Sequence, residues 1–373
     1  MAFYDIIKQY KDFDFVDAFA SITDADISRA IHSENLHGQD MLALLSPKAA
    51  EPVWMEEMAE ESRRRTIQYF GRTIQLFAPI YISNFCSNRC AYCGFNTQNN
   101  ISRRKLTLDE IEEEAKAISA TGLQNILMLT GEAKTITPME YLLDAVKILR
   151  RYFASVSIEI FPMDTDEYHA MARAGVDGLT LFQETYDEKI YKEVHLGGKK
   201  RDYHYRLDAP ERGAMAGFRS VNIGALLGLG EMRSEFFFTA LHAQYLADNY
   251  LDTEIAISLP RFNPAECGDF KPRYPVEDRT FVQFLLAFRL FLPRTGITVS
   301  TRENKTMRDN LMGIGATKLS AGVSTSVGGY SDGEKSTPQF DISDQRNVPE
   351  MVAAIKEHGY QPVHKDWDRG IWA

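Results

Sequence analysis

From residue 79 onward, short apolar runs alternate with amphipathic stretches, and this alternation restricts the fold more than any other feature of the chain. The apolar runs are residues 79–83, 125–129, 156–161, 178–182, 220–226, 254–258, 297–300 and 318–321. They are rich in Ile, Val, Leu and Phe without strict alternation, as expected for parallel strands buried on both faces. Helical patterns lie between them at 108–120, 139–152, 166–174, 208–217, 234–249, 276–292 and 305–314. Thr107 and Thr137 stand where N-caps are expected, and Gly122, Gly175, Gly296 and Gly315 where helices end. Eight strands and seven helices predict an α/β fold, a (βα)8 TIM-type barrel, whose chemistry sits in loops beyond the C-terminal strand ends. An open doubly wound sheet is the alternative, but no G-x-G-x-x-G follows the first strand.

The length, 373 residues, exceeds the ~250 of a plain barrel, so terminal additions are expected. Residues 1–75 read as a helical N-terminal region, 76–334 as the barrel and 335–373 as a C-terminal extension with a helix at 348–358. Within the first region, Glu60 to Arg65 reads as a solvated helix face with local ion pairs. Lys plus Arg total 42 and Asp plus Glu 52, a net charge of −10. That excludes a polycation and argues against a nucleic-acid partner. The start of the chain mixes Asp5, Lys8, Lys11 and Asp12 into its apolar residues, unlike a secretory signal. The longest apolar candidate, 281–293, is too short for a membrane span and contains Gln283 and Arg289. A cytoplasmic protein in a reducing compartment, without membrane association, is expected.

Only four cysteines occur, Cys86, Cys90, Cys93 and Cys267, too few for a disulfide framework in a chain this long. The first three form a C-x3-C-x2-C loop after the first strand. A structural zinc normally takes four protein ligands, yet the loop holds no histidine and the next one is His169. Three clustered thiolates suit an iron–sulfur centre. A four-iron cluster so held would keep one iron open to a small molecule. Cys267 reads as a loop thiol outside the ligand set.

With Tyr92 before the third cysteine, the motif resembles that of the radical S-adenosylmethionine (SAM) superfamily. The strand ends extend the resemblance to its aromatic amino-acid lyases, above all the tyrosine lyases of thiamine biosynthesis. The residues concerned are Thr130-Gly131-Glu132, Ser258-Leu259-Pro260-Arg261-Phe262, Ser300-Thr301-Arg302-Glu303, Leu319-Ser320-Ala321, Gly328-Gly329-Tyr330 and the tail from Gln361 to Asp368. A near relative in hydrogenase maturation carries a further cysteine-bound cluster, whereas this sequence has no cysteine after Cys267.

The resemblance implies a 4Fe–4S cluster on Cys86, Cys90 and Cys93, with SAM as cofactor. It implies that Tyr92, Gly131 and Glu132 serve the cofactor, Glu132 accepting from the SAM ammonium group. Glu159, in the third strand, needs a partner if buried, and a SAM ribose or amine contact would supply one. Asn222 and Gly224 would flank adenine. Arg302 suits a bidentate grip on a substrate carboxylate, with Ser320 and Ser324 beside it. Arg302 and Ser320 are the candidate catalytic residues. His195 and Gln183-Glu184 are candidates for the substrate phenol, although a lone histidine in such a loop more often faces solvent. The implied reaction cleaves the Cα–Cβ bond of L-tyrosine. Its implied partners are flavodoxin or ferredoxin as electron donor and thiazole synthase as product acceptor. Open alternatives are a hydrogenase-maturation-type tyrosine lyase without the second cluster, a deazaflavin-cofactor synthase-like enzyme, an iron–sulfur electron carrier and a zinc-bearing scaffold.

Overall fold

A computed structural model describes residues 2–265, 269–331 and 333–365. Eight parallel strands close on themselves: β1 (Thr73–Ser83), β2 (Asn125–Thr130), β3 (Ser155–Glu159), β4 (Gly178–Glu184), β5 (Ser220–Ala225), β6 (Glu254–Ser258), β7 (Gly296–Val299) and β8 (Lys318–Ser320). Pairing of β1 with both β2 and β8 completes the barrel. The expected (βα)8 architecture is therefore the observed one.

The strands do alternate once the barrel is closed. Ile74, Leu76, Ile80, Ile126, Met128, Val156, Ile158, Val221 and Ile223 are buried, while the intervening Gln75, Asn125, Ser157, Thr180, Asn222 and Thr298 line an internal cavity. Most of the apolar core thus lies between strands and helices, and the lumen is mixed, its polar groups set among Phe77, Leu127, Leu129 and Leu179. Ordinary barrels fill the same space with layers of branched apolar side chains. The helix Asp278–Phe291 supplies much of the core through Phe281, Phe284, Leu285 and Phe288, all fully buried. Phe284 stacks on Phe236 at 4.7 Å between centroids, an arrangement that adds ~1 kcal/mol beyond its area.

Four readings of the sequence are corrected. Glu60 to Arg65 is only partly a solvated face, because Ser62 and Arg65 are buried in the helix Pro52–Phe70. Arg65 donates to the carbonyls of Leu290, Ile31 and Ser33, so its charge is neutralised by fixed dipoles and Glu61 rather than by water. Thr137 caps nothing; its hydroxyl donates to the Ala133 carbonyl, and Pro138 occupies the cap position of Met139–Leu149. Gly296 opens β7 instead of ending a helix. The C-terminal segment adds β9 (Gln361–Val363), which pairs in parallel with the first residues of β1 at the barrel floor. By contrast, Thr107 does cap Leu108–Ser119, and Gly175 ends Thr165–Ala174 in the left-handed region.

Candidate active site

The cysteine loop leaves the top of β1 and is held from three directions. Arg103 donates to the carbonyls of Asn84, Phe95 and Asn96 and so gathers the two ends of the loop. The backbone of Ser87 donates to the Glu132 carbonyl at 3.0 Å. Beside it, a Cβ on Gly131 would sit 2.3 Å from the Phe85 carbonyl oxygen, so only glycine permits this approach. The third support is a ribbon formed with residues 194–200. Ala91 donates to Val194 O, Leu196 to Arg89 O, and Arg89 to Gly197 O. Asn88 Oδ1 accepts from the Lys200 backbone at 3.0 Å. Gly198 has φ +87°, and a Cβ there would meet Asn88 Oδ1 at 2.1 Å.

Cys86, Cys90 and Cys93 are all unpaired thiols of this loop, and Cys267 lies outside the described residues. Burial pushes all three thiols up, so a bound cationic centre is what would hold them as thiolates. Backbone N–H groups face the sulfurs, those of Asn88 (3.5 Å) and Glu132 at Cys86 and that of Phe95 at Cys93, and one side-chain donor joins them, Gln339 Nε2 at 3.9 Å from Cys93 Sγ. Among the described residues, no group of three His, Cys, Asp or Glu side chains could hold a single metal ion. A four-iron cluster asks for something else, one thiolate per iron from separate positions on one loop. The donor set fits that cluster.

Behind the loop lies a buried charge network that sequence reasoning missed. Arg206 bridges Glu132 at 2.9 Å and Glu184 at 3.4 Å, and Lys200 meets Glu184 at 2.7 Å. The other Glu132 oxygen accepts from Asn88 Nδ2 at 2.7 Å. Both oxygens of Glu132 are thus engaged by the protein. Burial pulls the Glu184 carboxyl up, but Lys200 and Arg206 together hold it below its ordinary value. Glu184 is the only described non-glycine residue with positive φ, +73°, a conformation costing ~1 kcal/mol or more unless its surroundings fix it. Lys200 and Arg206 do so. His195 is not solvated as expected. It is fully buried, with Nδ1 at 2.8 Å from Tyr191 O and Nε2 at 2.9 Å from the Tyr92 hydroxyl. Burial, reinforced by Lys200, lowers its pKa to about 3. The ring is therefore neutral, with Nδ1–H donating to Tyr191 O and Nε2 accepting from Tyr92.

The lumen and the mouth above it form one cavity of about 320 Å³, which brings together Tyr92, Cys93, Glu159, Asn222, Arg302 and Ser320. Arg302 stacks over the Phe340 ring, 3.5 Å from its centroid. Burial lowers its pKa although Tyr81 and Glu159 oppose that shift. Glu159 opens onto the cavity, and burial followed by the Glu184 charge raises it to about 7. Asn222 Nδ2 donates to Ser258 Oγ at 2.8 Å. Among the described residues, the buried Ser320 Oγ has no hydrogen-bond partner. Gly131, Glu132 and His195, behind the cysteine loop, are off the cavity lining, and three further candidates also stand apart. Gly224 is a packing glycine, since a Cβ there would lie 2.5 Å from Ser258 O. Gln183 is absent from the lining and turns its amide to the Tyr203 carbonyl. Ser324 is also off the lining: residues 323 and 325 face the cavity, while Ser324 Oγ accepts from the Ser326 backbone beside Gly329.

A strap formed by residues 336–346, in the C-terminal extension, contributes further groups to this mouth. Gln339 and Phe340 line the cavity. Asp344 anchors the strap to Arg308, and Arg346, itself in the strap and paired with Asp344, meets Asp309 at 2.8 Å. The aperiodic sequence of this strap carries no local signal for such a role.

Comparison with known proteins agrees with this geometry. The Radical SAM superfamily matches residues 80–241, and the Biotin and Thiamin Synthesis associated domain matches residues 258–361. The chain is similar to the 2-iminoacetate synthase of Escherichia coli, with 37% identity over 93% of this chain and 91% of that protein. Identity to the 2-iminoacetate synthase of Salmonella typhimurium is 36% over the same shares. Among solved structures, the FeFe-hydrogenase maturase HydG from Carboxydothermus hydrogenoformans superposes with a TM-score of 0.86 at 30% identity, covering 98% of this chain and 83% of that one. A barrel with three thiols on the loop after its first strand, matched along nearly its whole length by these relatives, belongs to the 2-iminoacetate synthase family of the radical SAM superfamily.

Proposed function

We propose that the chain is a radical SAM carbon–carbon lyase that splits L-tyrosine at Cα–Cβ into 2-iminoacetate (dehydroglycine) and p-cresol, with SAM giving 5′-deoxyadenosine and methionine. The observation that carries this reading is the shared cavity: Cys93 at one edge of it and Arg302 at another. When bound, the 4Fe–4S cluster supplies an electron for reductive cleavage of SAM and so generates the radical that takes a hydrogen from the substrate. Cys86, Cys90 and Cys93 would hold the cluster. Tyr92, Gly131, Glu132, Glu159, Asn222 and Gly224 form the proposed SAM surround. Gly224 serves only by keeping two strands close, and Glu132 by its backbone and its grip on Arg206.

Arg302 would bind the tyrosine carboxylate, the Phe340 ring holding its guanidinium plane in place. Ser320 Oγ offers an unspent hydrogen bond to the same substrate. Ser324 has at most an indirect role, through the turn it shares with Gly329. Glu159 adjusts the charge of the cavity between its neutral and ionised forms. The principal contribution of the chain is orientation, because the hydrogen taken is the one held nearest the radical carbon.

Dehydroglycine hydrolyses readily, which supports direct transfer to thiazole synthase. Flavodoxin or ferredoxin would serve as electron donor in the cytoplasm. Among the described residues no helix is long and apolar enough to cross a membrane. The test is anaerobic incubation of the reconstituted, reduced enzyme with SAM and tyrosine. p-Cresol and glyoxylate, the hydrolysis product, are expected in equal amounts. Deoxyadenosine formed without p-cresol would remove the tyrosine-lyase reading.

A further inference from the structure

Gln339 touches the cysteine loop from the far side of the mouth. Its Nε2 lies 3.9 Å from Cys93 Sγ, and its Oε1 accepts from the Tyr81 hydroxyl at 2.8 Å. The backbone is fixed as well. Gln339 N donates to Thr325 O at 3.1 Å. Its carbonyl oxygen lies so close to Gly94 that a Cβ there would be 2.4 Å away. Tyr81 is buried and lines the same cavity. A thiolate can only accept, so the amide must turn its NH2 edge toward Cys93, and the Tyr81 hydroxyl then completes the other edge.

We propose that Gln339 is a positioning residue for electron transfer, acting through an N–H···S hydrogen bond to the Cys93 thiolate that Tyr81 holds in register. This rests on the reading of Cys93 as a cluster ligand. Reduction adds negative charge to an iron–sulfur cluster and its thiolates. A donor aimed at a ligand sulfur stabilises the reduced form more than the oxidised form, and so raises the potential. The neighbouring residue, Phe340, lies under Arg302. One strap therefore sets both the sulfur environment and the arginine proposed to grip the substrate.

The experiment is an anaerobic redox titration of the reconstituted holoenzyme, followed by electron paramagnetic resonance without tyrosine. Two variants are compared with the parent: Gln339→Met, which keeps the volume and removes the donor, and Tyr81→Phe, which keeps the ring and removes the register. Both should hold the parent's iron and sulfide per chain. The midpoint should move to more negative potential in Gln339→Met, and in the same direction by less in Tyr81→Phe. An exchangeable proton coupled to the reduced cluster, read by electron–nuclear double resonance, should be lost in Gln339→Met. Parent potentials in both variants with full iron content would overturn the proposal, leaving Gln339 a spacer between strap and barrel. Should Gln339→Met fail to retain the cluster, the direction of the Tyr81→Phe shift decides alone. Because no substrate is present, the titration is independent of whether the chain makes p-cresol.

Discussion

Among the described residues, the guanidinium of Arg302 has no direct carboxylate partner and is supported by the Phe340 ring and a weak 3.4 Å contact to Arg261 O. A half-buried cation so placed is suited to an incoming anion. Replacing it by lysine keeps the charge but loses the planar fork, and hydrogen bonds to charged groups contribute about 1.5–3 kcal/mol each. Arg302→Lys should therefore raise the KM for tyrosine by roughly 10- to 100-fold, with the iron content unchanged. Ser324→Ala is the matched control, since its hydroxyl faces the Gly329 turn; steady-state kinetics should show a KM within about twofold of the parent. The cysteine loop was legible in the sequence because its ligands are neighbours there. Lys200, Arg206 and His195 were not. Their burial follows from partners on other strands and loops, Glu184, Glu132 and Tyr92, which no local sequence pattern announces.

At the scale of elements, the ribbon between residues 88–91 and 194–200 ties the cysteine loop to the segment after β4. Gly198→Ala would drive a methyl into Asn88 and force a strained φ. Reconstituted iron per chain should fall several-fold while far-ultraviolet circular dichroism stays that of the parent. A second inter-element tie is Glu235, in the first turn of Met232–Asn249, which accepts from Thr185 Oγ1 and from the Tyr186 backbone at the end of β4. Burial raises its pKa from 4.5 to about 7. The unfolded chain releases this proton near pH 4.5 and the folded chain keeps it, so stability declines as pH climbs through the interval between the two values. The loss is roughly 3 kcal/mol at most. Glu235→Gln, whose amide oxygen can accept from the Tyr186 backbone while its NH2 donates to Thr185 Oγ1, should flatten this part of a urea-denaturation pH profile. Had Glu235 been ionised in the fold at pH 5, the two profiles would be parallel there. Strand positions were legible to within one or two residues, except at β1 and β9. Thr73 and Gln75 of β1 face the lumen and so interrupt the apolar run that marks a strand. β9 is three residues long and includes Pro362, too short for any period to emerge.

Over the whole molecule, the barrel is closed at its floor by β9 and crossed at its mouth by the strap that Arg308, Asp344 and Arg346 fasten down. The expected barrel was legible from element order alone. The polar groups inside its lumen were not, because the assumption of strands buried in apolar layers on both faces hid which face was which. That lumen runs from Phe70 and Val363 near the floor to Cys93 and Arg302 at the top. Its volume, about 320 Å³, has room for on the order of ten water molecules. Loading two polar ligands into such a chamber is therefore also an act of drying it, and the activity of water becomes a thermodynamic reactant. Tyrosine and SAM should bind more tightly as an excluded osmolyte such as sucrose is added. Calorimetric titration across an osmolyte series would show an affinity independent of osmolality if the chamber kept its water.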